Sequence, residues 1–175
     1  MFLKIFIAGV ALIAAVLILA ASRPDTFNLQ RSRTIQAPPE KIFALINDFH
    51  HWSQWAPQDR EDPTMRRTFT GAESGIGAIS DWNSSGSAGA GRMEITESTP
   101  PQKILVKVDF VKPFEAHNVN EFLLEPAGTS TKVTWSMHGT NLYIMKLMSL
   151  VASMDKIAGK HFEAGLDNLK SAAEK

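Results

Sequence analysis

From Ile5 to Ala21 the chain carries no charged side chain and is apolar throughout, whereas beyond Asp25 it breaks into short segments in which apolar and polar residues alternate. As a helix, the first run of 17 residues spans about 26 Å, close to the ~30 Å of a bilayer's hydrocarbon core. The alternating segments predict half-buried strands. Ile104, Val106, Val108 and Phe110 share one face of such a strand, with Lys107 and Asp109 on the other. Val133, Trp135 and Met137 likewise oppose Thr134, Ser136 and His138, and Met93 and Ile95 alternate with Arg92, Glu94 and Thr96. Turn-forming clusters at 71–77, 83–91, 100–101, 113 and 126–128 divide this region into about seven strands. One face of the sheet is apolar and the other wet, as in an antiparallel sheet covered on one side.

Two helical segments supply the cover. Pro38 and Pro39 suit a first helical turn, where the N–H they lack would be unpaired anyway, and Glu40 favours the positive end of the helix dipole. Ile42, Phe43, Leu45, Ile46 and Phe49 then follow at helical spacing. Near the other terminus Ile144, Leu147, Val151, Met154, Ala158, Phe162, Gly165 and Leu169 recur every three or four residues, which predicts one long amphipathic helix with Thr140 or Asn141 as its cap. Its second half is two-faced, but between Leu142 and Val151 only Lys146 and Ser149 are polar. The first expectation is that the loop bearing Trp52 and Trp55 folds over this apolar end. The alternative is that the end borders a ligand entrance or touches a bilayer.

Arg31 to Pro57 reads RSRTIQAPPEKIFALINDFHHWSQWAP: a short β-like run, a double proline, a helix and a Trp-x-x-Trp pair. This segment resembles the opening of the polyketide cyclase/dehydrase branch of the START-like (SRPBCC) superfamily. The resemblance continues through Asp62-Pro63-Thr64-Met65, Gly75-x-Gly77-Ala78, Trp82, Gly91-x-Met93-x-Ile95-x-Glu97, Pro113-Phe114, Thr134-Trp135-x-Met137-x-Gly139 and Met154-Asp155-Lys156, and covers residues 28 to 172. It implies an α+β helix-grip (START/Bet v 1-like) fold, in which a curved antiparallel sheet of about seven strands surrounds a long C-terminal helix and a hydrophobic cavity. Here a single N-terminal transmembrane helix would precede it. The expected division is an anchor over 1–22, a tether over 23–30 and the domain over 31–173.

A cleaved secretory signal is the rival reading of the first segment, since Lys4 and the small residues Ala20-Ala21-Ser22 fit one. The anchor is preferred because the apolar run exceeds the ~7–15 residues of a signal core and no clean A-x-A ends it. A single-pass membrane protein follows. Lys4 and the amino terminus on one flank stand against Arg23, Arg31 and Arg33 on the other, which leaves the side of the domain open.

Charge excludes one class of partner. All 18 acidic and 17 of the 18 basic side chains lie after Ser22, so this portion carries one net negative charge and offers no basic stripe for nucleic acid. The chain has no cysteine, which removes thiolate catalysis and Cys-based zinc sites. His50 and His51 are adjacent and no histidine sits at a metal-ligand spacing, so no metal and no cofactor are expected. Asp81 and Asp109 fall on the wet face by parity, and Gly86-x-x-Gly89-x-Gly91 leads into a strand, unlike a phosphate-binding loop.

The inward-facing aromatics and methionines are the candidate ligand site: Trp55, Trp82, Met93, Phe110, Trp135, Met137, Met148 and Met154. No catalytic residue is assigned. The favoured function is a membrane-anchored binding module for a hydrophobic small molecule such as a lipid, isoprenoid or polyketide-like compound. An enzyme of the cyclase, aromatase or dehydratase kind is the alternative, and a protein-interaction domain the third reading. A polar pair inside an apolar pocket would favour the enzyme, and parity finds none.

Overall fold

The computed structural model describes residues 2–86, 88–150 and 154–175, without the side chains of Met154, Lys156 and Ile157. Helix α1 (Phe2–Ala21) is exposed along its length apart from Ala20, and the uncharged run is helical throughout. Strand β1 (Thr26–Ile35) follows after only four residues, so it begins inside the stretch expected as tether. Helix α2 (Pro39–Asn47) has proline at its first position, and Asp48 then starts a 3-10 turn (Phe49–Gln54) by accepting the His50 N–H at 2.8 Å. A short helix α3 (Pro57–Glu61) leads into β2 (Arg66–Gly71), β3 (Ala78–Asn83), β4 (Ala90–Thr99), β5 (Lys103–Lys112), β6 (Ala116–Ala127) and β7 (Ser130–Thr140). The seven strands form one antiparallel sheet in the order β1-β7-β6-β5-β4-β3-β2.

The register gives the sheet two distinct ends. Thr26 pairs with Thr140, Asn118 with Gly139, Phe110 with Ala116 and Asn83 with Ala90 at the end where α1 joins, here called the anchor end. Ile35 with Thr131, Ala127 with Ser130 and Gly71 with Ala78 mark the far end.

The helical cover differs from the single long helix expected. Helix α4 (Tyr143–Met148) stops in a turn at Ser149 and Leu150, and α5 (Met154–Ala173) is a separate element; residue 151 of the expected stripe lies outside the described residues. The Ser149 hydroxyl donates to the Lys146 carbonyl at 2.7 Å and the Leu150 N–H to the Leu147 carbonyl at 3.2 Å, which tightens and closes α4. The two helices also have different supports. Helix α5 lies along the sheet through Phe162, Leu166 and Leu169, with Arg31 paired to Asp155 and Glu163, and Arg33 to Asp167, each at 2.7 Å. Helix α4 lies on α1: the Tyr143 hydroxyl donates to the Leu17 carbonyl at 2.9 Å and Lys146 is paired with Asp25. That pairing holds the Asp25 carboxyl below the usual carboxylate range, chiefly through the hydrogen bond from Lys146.

Trp52 and Trp55 therefore do not cover the apolar start of the C-terminal region. Their indole N–H groups donate to the Ile46 and Leu45 carbonyls at 2.9 and 3.0 Å, tying the 3-10 turn to the end of α2 and turning both rings into the sheet. Trp55 meets Phe122 and Trp135 edge-on at 6.0 and 5.9 Å, and Trp135 stacks on Phe162 at 4.0 Å. The close approach of α5 depends on Gly165, where a Cβ would stand 2.6 Å from the Trp135 ring.

Candidate functional site

Alternation along β3 to β7 sends Trp82, Met93, Val108, Asn120 and Trp135 to the helix side of the sheet. That side has a filled half and a half that, among the described residues, is less densely packed and is called here the open half. From the middle to the far end, Trp55, Phe122, Trp135, Phe162, Leu124 and Ile35 are buried and mutually packed. Toward the anchor end the packing thins: Met65, Phe110, Met137 and Ala158 touch the core but remain partly exposed, beside buried Trp82 and Met93. Trp82 meets Phe110 edge-on at 5.4 Å.

This places most of the residues expected to line a cavity. Trp82, Met93 and Phe110 lie on the adjoining strands β3 to β5 of the open half, and Met137 lies on the same side of the sheet on β7, beside Asn118. Trp55 and Trp135 belong instead to the aromatic packing that fills the middle. Met148 is not brought to this set, since α4 sits on α1 and leaves it 51% exposed there. The side chain of Met154, which opens α5, lies outside the described residues. Two clefts of about 380 and 570 Å³ lie elsewhere: one on the polar outer face among Gln30, Glu121, Lys132 and Ser136, the other near His117, Val119 and His138.

Polar side chains that parity missed also reach the helix side. In β6 both Asn118 and Asn120 point inward, opposite Gly139 and Met137. The Trp135 indole N–H donates to Asn120 Oδ1 at 3.2 Å. Asn118 Nδ2 faces the Met137 sulfur at 3.8 Å, and its Oδ1 is buried with no partner among the described residues. Gly139 makes this possible, because a Cβ there would collide with that amide. In β2, Arg67 lies opposite Trp82 and donates to both Asp59 oxygens, at 2.6 and 2.9 Å, and to the fully buried Ser80 hydroxyl at 3.0 Å. This bidentate geometry fixes α3 against the sheet.

Helix α5 contributes His161, whose Nε2 is buried without a hydrogen-bond partner among the described residues. Burial pushes its pKa below the usual 6.5, with the nearby Glu61 charge opposing the shift. A depressed value means that the unfolded chain takes up this proton first as pH falls. The contribution is neutral above about 6.5 and stability drops as pH falls from there towards the folded-state value, then levels. Chemical denaturation of His161→Gln is expected to show a smaller loss of stability between pH 7.5 and 5.5 than the parent, the difference isolating this residue.

Sequence and structure comparisons agree on the affinity of the chain. Residues 26–174 match the family described as polyketide cyclase/dehydrase and lipid transport. No curated protein matches the sequence. Among solved structures, ginseng major latex-like protein 151 from Panax ginseng superposes with a TM-score of 0.62 at 15% identity, covering 87% of this chain and 100% of its own. A protein from Chromobacterium violaceum gives 0.58 at 14% identity, over 87% of this chain and 99% of that one. The Aha1 dimer from Colwellia psychrerythraea gives 0.57 at 18%, over 85% and 96%. These likenesses establish the helix-grip fold.

Proposed function

Because the chain belongs to the polyketide cyclase/dehydrase and lipid transport family, we propose that it is a membrane-anchored binding module that takes a hydrophobic small molecule into the open half of its grip. The observation that carries this reading is the buried Asn118 Oδ1, which lies against Gly139 between Met137 and Val108 and has no hydrogen-bond partner among the described residues. An unsatisfied buried acceptor costs about 1–3 kcal/mol, and a ligand hydroxyl or amide bonded to it would recover that cost. The ligand is thus an apolar body with one hydrogen-bond donor, in the range of lipids, isoprenoids and polyketide-like compounds. Flexible Met65, Met93 and Met137 suit a pocket that accommodates varied shapes. Helix α1, long and apolar enough to span a bilayer, would keep the domain beside its source of apolar ligand.

A binding test can exploit the position of Trp82, since the other three tryptophans lie in the filled half. A dibrominated fatty acid titrated into the full chain in micelles is expected to quench tryptophan emission saturably, and Trp82→Phe to abolish most of that quenching. Unchanged quenching in Trp82→Phe would place the ligand elsewhere.

The enzyme reading has one observation in its favour, the partly buried His161. Asn118 and Asn120 can orient a carbonyl or hydroxyl but cannot move a proton, and Asp59 is occupied by Arg67. Of these side chains, His161 is the one that could serve a cyclase or dehydratase as general base.

A further inference from the structure

Among the described residues, five of the seven large apolar side chains that the chain beyond α1 leaves exposed fall into two groups, Phe69 and Ile76 being the others. Val111 and Phe114 are 64% and 55% exposed at the tip between β5 and β6, and Tyr143, Ile144 and Met148 are 46%, 39% and 51% exposed on α4. Both groups lie at the anchor end. Lys112 pairs with Ala90 and Phe110 with Ala116 there, while α4 follows directly from Thr140, the partner of Thr26. The hairpin tip joins β6 and β5, the two strands beyond β7, so it lies within about two strand spacings, ~10 Å, of the strand that feeds α4.

The tether adds a constraint on orientation. Only Ser22 to Asp25 separate α1 from β1, and these residues are bound to the domain. The Asn141 N–H donates to the Asp25 carbonyl at 2.7 Å, Asn141 Nδ2 to the Pro24 carbonyl at 3.1 Å, and Lys146 is paired with Asp25. The Tyr143 hydroxyl reaches the Leu17 carbonyl, four residues before the end of α1 and about 6 Å down its axis. If α1 spans a bilayer, α4 lies at the depth where headgroups give way to acyl chains. An amphipathic aromatic ring and a lysine are suited to that zone.

We propose that the anchor end of the sheet is a lipid-docking face: α4 and the Val111–Phe114 tip both enter the interfacial layer of the membrane that holds α1. The domain then sits upright on the bilayer with the open half of its grip, at Phe110 and Met137, directed at the lipid. This rests on α1 being a retained membrane span. It also explains why α4 has no polar outer face and why it packs on α1 and not on the sheet.

The chain has no cysteine of its own, so single-cysteine variants give a direct test. The full chain would carry an environment-sensitive fluorophore at Ile13→Cys in α1, Phe114→Cys at the tip, Met148→Cys on α4, or Ile76→Cys. Ile76 is an equally exposed apolar residue, at 62%, but lies at the far end. In phosphatidylcholine vesicles doped with doxyl-labelled phosphatidylcholine, the labels at 114 and 148 are expected to show blue-shifted emission and several-fold stronger quenching than the label at 76. Water-like emission at 114 and 148 with strong quenching at 13 would overturn the docking face and leave the anchor standing. Water-like emission at 13 as well would remove both.

Discussion

Replacing Trp135 with alanine is expected to cost about 3–5 kcal/mol. Trp135 lies at the centre of the aromatic packing, 4.0 Å from Phe162, 5.1 Å from Phe122 and 5.9 Å from Trp55 between ring centroids. Through these rings α5, the sheet and the 3-10 turn all meet on one side chain. Removing it leaves a cavity that α5 cannot collapse into without losing its ion pairs along β1, and it strands Asn120 Oδ1 without the indole N–H. Domains of this size are typically stable by only about 5–15 kcal/mol, so the variant should unfold at markedly lower denaturant. Trp135→Phe, which keeps most of the stacking but not the hydrogen bond, should lose much less. An equal loss in both variants would mean that the bond to Asn120, and not the packing, holds the centre together.

The second large effect is expected at Asp59. Its side chain is 7% exposed and that of Arg67 12%, so Asp59→Ala leaves a buried guanidinium with, among the described residues, the Ser80 hydroxyl as its remaining side-chain partner. Breaking a buried pair from one side costs about 3–5 kcal/mol, far more than the pair contributes relative to an apolar replacement. The double variant Asp59→Leu with Arg67→Met should therefore recover most of the stability lost in Asp59→Ala. Thermal or denaturant unfolding of the full chain in micelles, followed by near-ultraviolet circular dichroism, separates the outcomes. If the double variant is as unstable as the single one, the pair fixes α3 by geometry that no apolar contact replaces.

Much of this was visible in the order of the residues. Ile104 to Phe110 and Val133 to Met137 alternate cleanly, and the strands they predict have the predicted inward faces. The proline-started helix at Pro39 and the apolar run of α1 were equally plain. The α4–α5 break was not, because Leu142 to Val151 lacks the polar positions that would reveal a helical period, and its partner is α1, which no local pattern can indicate. The same holds for Trp52 and Trp55. Their proximity to an apolar stretch in the expected fold suggested a contact, but their N–H groups are claimed by carbonyls of α2, which directs the rings elsewhere.

The polar residues of the open half were hidden for a different reason. In β6 the inward set Ala116, Asn118, Asn120, Phe122 and Leu124 and the outward set His117, Val119, Glu121 and Leu123 each mix polar with apolar side chains. Alternation then fails to choose a face, and only pairing with Val106 and Val108 fixes the register. Arg67 is obscured by the shortness of β2, where its partner Trp82 supplies the only sign of direction.

The central claim is that the open half holds a hydrophobic molecule, and organic extraction of the purified full chain followed by mass spectrometry tests it most directly. The comparison should be with Ala158→Trp, which puts a large ring on the α5 face that packs over the open half. A reproducible lipid-like mass that accompanies the parent and is absent from a folded Ala158→Trp is the predicted result. The same spectrum from both proteins, or none from either, would contradict it.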